Sequence, residues 1–209
     1  MDISNTAIIL AGGRSLRMKF DKQFLVIDNE RLMYKVIKNL ERHFEEIIIV
    51  TNKPEQYENS KYTIICDDIK NVGPLGGILA GLSKSKSKYS YIVACDMPNI
   101  DNYYINYLKN KIVEDLNTER EYSVYISNIK GRVQFFHGFY KTSLKDNLYE
   151  YIYNEKSKSI RSFLNSQDIK VNVIHDEEFK QQGFNEDIYI NLNTQEDLKK
   201  YIGKNYTLY

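Results

Sequence analysis

Ala7-Ile8-Ile9-Leu10-Ala11-Gly12-Gly13-Arg14-Ser15-Leu16-Arg17-Met18-Lys19-Phe20-Asp21-Lys22 is the stretch on which the architecture turns. Its first half is a short, continuous apolar run of the kind that forms a strand buried on both faces. Two adjacent glycines then end the run, followed by fixed positive charge at Arg17 and Lys22. Glycines without Cβ let backbone N–H groups approach an anion closely, and an arginine and a lysine can neutralise a polyphosphate that amides alone would not hold. The same glycines also suit an ordinary tight turn. The segment lacks both the Gly-x-x-x-x-Gly-Lys spacing of a Walker A loop and the Gly-x-Gly-x-x-Gly spacing of a dinucleotide fold.

Outward from this point the pattern repeats. Apolar runs at Ile47 to Val50, Thr63 to Cys66 and Tyr91 to Cys95 read as further parallel strands. Helix-period segments at Leu32 to Leu40, Gly77 to Leu82 and Tyr103 to Leu116 lie between or after them. Alternating strands and helices imply right-handed crossovers and a doubly wound, mostly parallel α/β sheet of Rossmann-like type, with helices on both faces. The second half changes character. Strands are expected at Tyr122 to Ile126, Val133 to Tyr140, Ile169 to Ile174 and Ile188 to Leu192, with a turn at Asn128 to Gly131, so mixed or antiparallel strands should join the sheet. Helices are expected at Leu144 to Tyr153, Ile160 to Asn165 and Glu196 to Ile202, the last capped by Asn193 or Thr194 and ended by Gly203. The Lys/Ser tract from Ser83 to Lys88 reads as a solvated helix end and turn.

A chain of 209 residues suits one domain, with residues 1–100 and 101–209 as its halves. With 42% hydrophobic and 27% charged residues it should fold as an ordinary globular protein, and a net charge of +1 provides no global field to draw it to nucleic acid or a membrane surface. Cys66 and Cys95, each ending an apolar run before an aspartate, fit reduced thiols at buried strand ends. No apolar run approaches a membrane span, and a cytoplasmic location is expected. His43, His137 and His175 show no metal spacing and read as structural or surface residues. His137 stands in an aromatic strand, Phe135 to Tyr140, for which core packing and proximity to a second substrate are both open.

Two further segments carry chemistry. In Cys95-Asp96-Met97-Pro98 a carboxylate ends an apolar strand and a proline stops it, so Asp96 projects from the sheet's carboxyl edge. There it suits Mg²⁺, which takes oxygen ligands and completes its shell with substrate phosphates; the competing reading makes Asp96 the cap of the helix that begins near Asp101 or a support of the turn. The run from Asp67 and Asp68 through Gly73, Pro74 and Leu75 to Gly77 leads into a small-residue helix whose backbone can press on a flat base or ribose. A solvated aspartate pair and a plain turn are the simpler readings.

Together, and in this order, the three segments resemble the molybdenum cofactor guanylyltransferases, whose pattern runs Leu-Ala-Gly-Gly, Arg-Met-Gly-x-Asp-Lys, Gly-Pro-Leu-x-Gly-Ile and Cys-Asp-x-Pro. The resemblance implies GTP contacts from Leu10, Ala11, Gly12, Gly13 and Lys22, with Asp67 or Asp68, Gly73, Pro74 and Leu75 at the nucleoside and Asn52 nearby. It also implies charge neutralisation by Arg17 and a Mg²⁺ at Asp96. Ile190-Asn191-Leu192-Asn193-Thr194-Gln195-Glu196-Asp197-Leu198 is similar to the family's Asn-x-Asn-Thr-Pro-Glu-Asp-Leu segment, which implies that Asn191 and Asn193 face the molybdopterin acceptor. GTP and molybdopterin would be the substrates, and proteins of cofactor biosynthesis or acceptor proteins the partners. The likeness spans nearly the whole chain but is loose in the middle of the second half. One departure is Lys19, which replaces the family glycine after Arg-Met and trades conformational freedom for charge. Two alternatives stay open: a cytidylyl- or sugar-nucleotidyltransferase of the same fold, and a non-catalytic nucleotide-binding adaptor.

Overall fold

The structure is a computed structural model that describes residues 3–12, 25–27, 30–66, 69, 72–155, 158–166 and 169–205. Its centre is β1 (Thr6–Leu10), all five of whose residues are buried. β1 pairs in parallel with β4 (Glu46–Thr51) on one side and with β6 (Tyr89–Ala94) on the other. β5 (Thr63–Cys66) extends the sheet beyond β4. Beyond β6 lie β8 (Arg132–Lys141), β7 (Val124–Ile129) and β9 (Val171–His175), giving the order β5-β4-β1-β6-β8-β7-β9. β8 is antiparallel to both of its neighbours, while β7 and β9 pair in parallel. The doubly wound sheet expected from the apolar runs is therefore present, and it draws strands from both halves of the chain.

Helices cover both faces, as nearly continuous apolar strands require. On one face, α1 (Leu32–Leu40) and α3 (Asn102–Asn117) bury Val36, Ile37, Tyr104 and Leu108 against Ile9, Ile49 and Tyr91. On the other, α2 (Pro74–Lys84), α4 (Leu144–Asn154) and α5 (Ile160–Ser166) bury Leu75, Leu79, Leu148 and Phe163 against Ile8, Ile48 and Ile92. The β7–β8 connection puts Lys130 at φ +52° and Gly131 at φ +73°, the paired positive angles of a two-residue hairpin turn. No helix among the described residues is long and apolar enough to cross a membrane.

Three expectations need correction. Ile188 to Leu192 is not a strand: a 3₁₀ turn spans Glu186–Tyr189, and its apolar residues are buried in two different clusters rather than paired in the sheet. Gly203 does not end the last helix, α7, which runs Gln195–Asn205. In the Lys/Ser tract Ser87 is buried, its hydroxyl accepting from Asn5 N–H at 3.0 Å and lying 2.8 Å from Thr6 Oγ1, so the tract ties β1 to β6 rather than simply meeting solvent. Three small elements lie outside the sequence pattern, the antiparallel pair of β2 (Val26–Ile27) and β3 (Glu30–Arg31), a 3₁₀ turn at Pro54–Tyr57 and the helix α6 (Asp176–Gln181).

Helix α2 lies unusually close to β1. A Cβ on Gly81 would stand 2.5 Å from Ile8 Cγ2, whereas one on Gly203 in α7 would meet nothing within 4 Å. The same substitution should therefore have opposite signs at the two sites. Gly81→Ala is expected to lower stability by about 1–3 kcal/mol through overpacking, and Gly203→Ala to raise it by up to about 1 kcal/mol through helix propensity. Urea midpoints of the two variants against the wild type check both signs.

Candidate functional site

From β1 the chain winds outward to β4 and β5, then crosses back through α2 to β6 on the other side of β1. The order of strands thus reverses between β1 and β6, and ligands of open α/β sheets bind outside the carboxyl ends of the strands at such a switch point. Hydrogen bonding extends just past the strand ends here. Ala11 N–H donates to Val50 O at 2.8 Å, and Cys95 N–H donates to Leu10 O at 3.0 Å. Leu10 and Ala11 are consequently buried at 7% and 2% exposure, and Gly12 is the first residue to emerge. Gly13, Arg17, Lys22, Asp67 and Asp68 lie outside the described residues.

Asp96 follows β6 in a turn closed by Met97 N–H donating to Ala94 O at 3.1 Å, and it is half-buried. The helix-cap reading of Asp96 is excluded. Asp101 caps α3, its carboxylate accepting from Tyr103 N–H at 2.8 Å and Tyr104 N–H at 3.0 Å. A carboxylate at this edge fits the chemistry of Mg²⁺, a hard cation that needs only one or two protein oxygens when phosphates supply others.

At the carboxyl side of β5, Gly73 adopts φ +59° and ψ −144°, a conformation suited to glycine, and Pro74 opens α2 where its missing N–H is harmless. Gly73 and Pro74 are exposed and Leu75 is fully buried, so the first anchors backbone at the rim and the last anchors the helix below it. Asn52, expected near the nucleotide, is exposed in the bend just after β4.

The carboxyl-terminal segment reaches the same turn. Leu192 N–H donates to Asp96 O at 2.9 Å, Asn99 Nδ2 donates to Asp187 O at 2.7 Å, and Tyr201 Oη donates to Asn99 Oδ1 at 3.1 Å. Asn191 and Asn193, expected on the acceptor side, are therefore exposed on a strand of chain anchored beside Asp96. The segment is held from behind as well, since buried Leu192 clusters with Leu25, Ile27 and Leu32, and Leu198, Tyr201 and Ile202 pack on the group. Leu25 is thus tied, through Leu192, to the neighbourhood of Asp96. Asp197 organises the start of α7, its carboxylate accepting from Asn193 and Thr194 N–H while Thr194 Oγ1 accepts from Asp197 N–H. The Thr194 hydroxyl, followed by these amides, holds the Asp197 carboxyl below its ordinary value.

Asn99, Tyr201 and the Leu25–Leu192 cluster stand outside every motif of the sequence. The available signals were slight, a two-residue alternation at Leu25 and Ile27 and a helical stripe through Leu198 and Ile202. A hollow of about 580 Å³ lined by Thr6, Glu46, Lys61, Tyr62 and Lys86 lies at the opposite, amino edge of the sheet. Glu46 there is engaged by Thr6 Oγ1 at 2.8 Å and by Lys86 N–H at 3.3 Å, which makes it part of the strand-end structure and not of the switch-point site.

Behind the Asp96 turn, His137 is 1% exposed and its Nδ1 lies 2.7 Å from Tyr91 Oη. Burial pushes the imidazole down to about 3, so it stays neutral across the working pH range.

Residues 7–171 match the family model of the MobA-like NTP transferase domain. A probable molybdenum cofactor guanylyltransferase of Peptoclostridium acidaminophilum is 38% identical over 94% of this chain and 87% of its own length. The molybdenum cofactor guanylyltransferase of Syntrophotalea carbinolica is 34% identical over 94% of this chain and 90% of its own length. Among solved structures, molybdopterin-guanine dinucleotide biosynthesis protein A of Archaeoglobus fulgidus superposes with a TM-score of 0.76 at 21% identity, covering 93% of this chain and 95% of that one, which establishes the likeness of fold.

The neutral, buried His137 has a stability consequence with a definite sign. Its folded value of about 3 lies below the ordinary 6.5, so the unfolded chain binds the proton first. The stability is complete above about pH 6.5 and falls with pH through that window, by about 1.4 kcal/mol per unit. Urea unfolding at pH 7 and pH 5 should show the wild type losing about 2 kcal/mol more than His137→Gln over that step.

Proposed function

The chain belongs to the MobA-like NTP transferase family, and from that premise we propose that it transfers GMP from GTP to the phosphate of molybdenum-bound molybdopterin, yielding molybdopterin guanine dinucleotide and pyrophosphate. The single observation that carries the site assignment is the meeting, at the β1–β6 switch point, of the Gly12 end of β1, the Asp96 turn and the Asn191–Asn193 segment bonded to it. The curated relatives carry the choice of nucleotide and acceptor. Residues 1–100 form the GTP half and residues 101–209 the acceptor half of one domain.

In this reading the backbone of Gly12 and Gly13 cradles the triphosphate, and Arg17 and Lys22 neutralise it; Leu10 and Ala11, expected to contact GTP, are buried with their backbone bonded into the sheet and anchor the loop instead. Gly73 and Pro74 wall the nucleoside while Leu75, fully buried, only anchors the helix beneath them, with Asp67 or Asp68 and Asn52 contributing polar contacts, and Asn191 and Asn193 orient the acceptor. Asp96 would hold Mg²⁺, which when bound supplies charge stabilisation to the phosphates. The acceptor phosphate attacks the α-phosphorus of GTP in line, and the bond to the departing pyrophosphate breaks as the new P–O bond forms. A phosphate nucleophile is already ionised, so no general base is required. The rate enhancement comes from near-attack positioning and from Lys22, Arg17 and the loop amides meeting charge on the leaving group.

Pyrophosphate release is the direct test. Wild type should release it from GTP, in preference to CTP or ATP, only with molybdopterin present and only before chelation of Mg²⁺. Asp96→Asn and Lys22→Ala should each lower kcat by roughly 10²–10³-fold. A preference for CTP would move the protein to the cytidylyl branch, and GTP binding without release would make it an adaptor; either contradicts the assignment.

A further inference from the structure

Three departures from ordinary strand behaviour fall on one stretch of β8. Pairing with β6 runs from Tyr89↔Lys141 to Ile92↔Gly138 and goes no further toward Asp96, while the register with β7 jumps between Tyr125 and Ser127. His137 takes φ +58°, a left-handed conformation that a residue with a Cβ adopts rarely. Its buried Nε2 has no hydrogen-bond partner among the described residues, although Nδ1 is engaged by Tyr91.

The bulge is enforced from both sides. A Cβ on Gly138 would stand 2.6 Å from Tyr125 O, so β7 presses directly on the glycine, and Tyr140 Oη donates to Phe135 O at 2.7 Å across the bulged residues. Strained backbone and unmatched buried polar atoms persist only where the surroundings over-determine them, and they concentrate at functional sites. Bulges near such sites re-aim a side chain.

Here the re-aimed side chain is His137, whose ring meets Tyr189 edge-on, with centroids 6.0 Å apart at 76°. Tyr104 and Phe179 complete the socket at 6.3 and 5.9 Å from the Tyr189 ring. Tyr189 closes the 3₁₀ turn from which the chain passes to Asn191, whose Nδ2 donates back to Tyr189 O at 3.4 Å, and to Leu192, whose N–H holds Asp96 O.

We propose that His137 is a positioning residue for transfer: held by Tyr91, its ring seats Tyr189 and thereby sets where Asn191 and Asn193 stand beside Asp96. The proposal rests on the guanylyl-transfer reading for the role of the two asparagines, and on the socket geometry for the rest. His137 touches neither substrate; it acts through Tyr189 and the Leu192–Asp96 bond.

Amide hydrogen exchange by NMR tests the socket without any turnover. In His137→Ala the Leu192 amide should exchange at least roughly tenfold faster while the Ile8 and Ile92 amides keep wild-type rates, the signature of local opening. His137→Phe, which keeps a ring in the socket, should return Leu192 most of the way to wild-type protection. In the transfer assay His137→Ala should raise KM for molybdopterin by roughly tenfold with KM for GTP unchanged. An unchanged Leu192 rate, acceleration shared by Ile8 and Ile92, or equal effects on both KM values overturns the proposal. If the wild type transfers no nucleotide, the functional reading fails by itself, and the exchange rates still decide whether His137 seats the segment.

Discussion

Everything at the working end depends on the pairing of β1 with β4 on one side and β6 on the other. These two parallel ladders bury all five residues of β1 and carry its last carbonyl, that of Leu10, into a bond with Cys95 N–H. Because backbone groups inside the sheet must be paired, Gly12 is the first residue at which the chain can turn outward and present N–H groups to a ligand. The same constraint delivers the turn bearing Asp96 to the adjacent strand end. The separation of Gly12 from the Asp96 turn is thus governed by strand spacing, which is one of the least adjustable dimensions in a protein.

What joins the carboxyl-terminal segment around Asn191 to this frame is slighter and more specific. One backbone hydrogen bond, Leu192 N–H to Asp96 O, and one side-chain bridge, Asn99 between Asp187 and Tyr201, hold the final segment against the Asp96 turn. Behind them the packing divides. Leu192 is buried with Leu25, Ile27 and Leu32, whereas Ile188 and Tyr189 belong to the aromatic core around Tyr104 and Phe179. The segment between these two anchors carries the exposed Asn191, so both cores bear on where that side chain stands.

The legibility of the fold in the sequence follows from what periodicity reports. β5 at Thr63–Cys66 and α1 at Leu32–Leu40 are legible because buried parallel strands and one-sided helices impose strong, distinct apolar patterns. Ile188, Ile190 and Leu192 alternate like a strand, yet their alternation satisfies two separate clusters; apolar spacing records burial and is silent on hydrogen-bond partners. α6 has a single buried residue, Phe179, and so no stripe to detect. At the site, Asp96 and Gly73 were legible because strand ends and positive-φ glycines leave local marks in composition. The aromatic run singles out His137, but its strain leaves no mark there, since it comes from a register jump between two strands that only the folded sheet creates. The family motif carried the assignment of Asn191 and Asn193, which no local physical pattern would have singled out.

The most direct measurement is a crystal structure of the protein with Mg²⁺ and a non-hydrolysable GTP analogue. The account predicts the triphosphate over Gly12 at the gap between the carboxyl ends of β1 and β6, the base against Gly73 and Pro74, and the metal on Asp96. A nucleotide seated at the amino edge of the sheet, in the hollow beside Thr6 and Glu46, would contradict it.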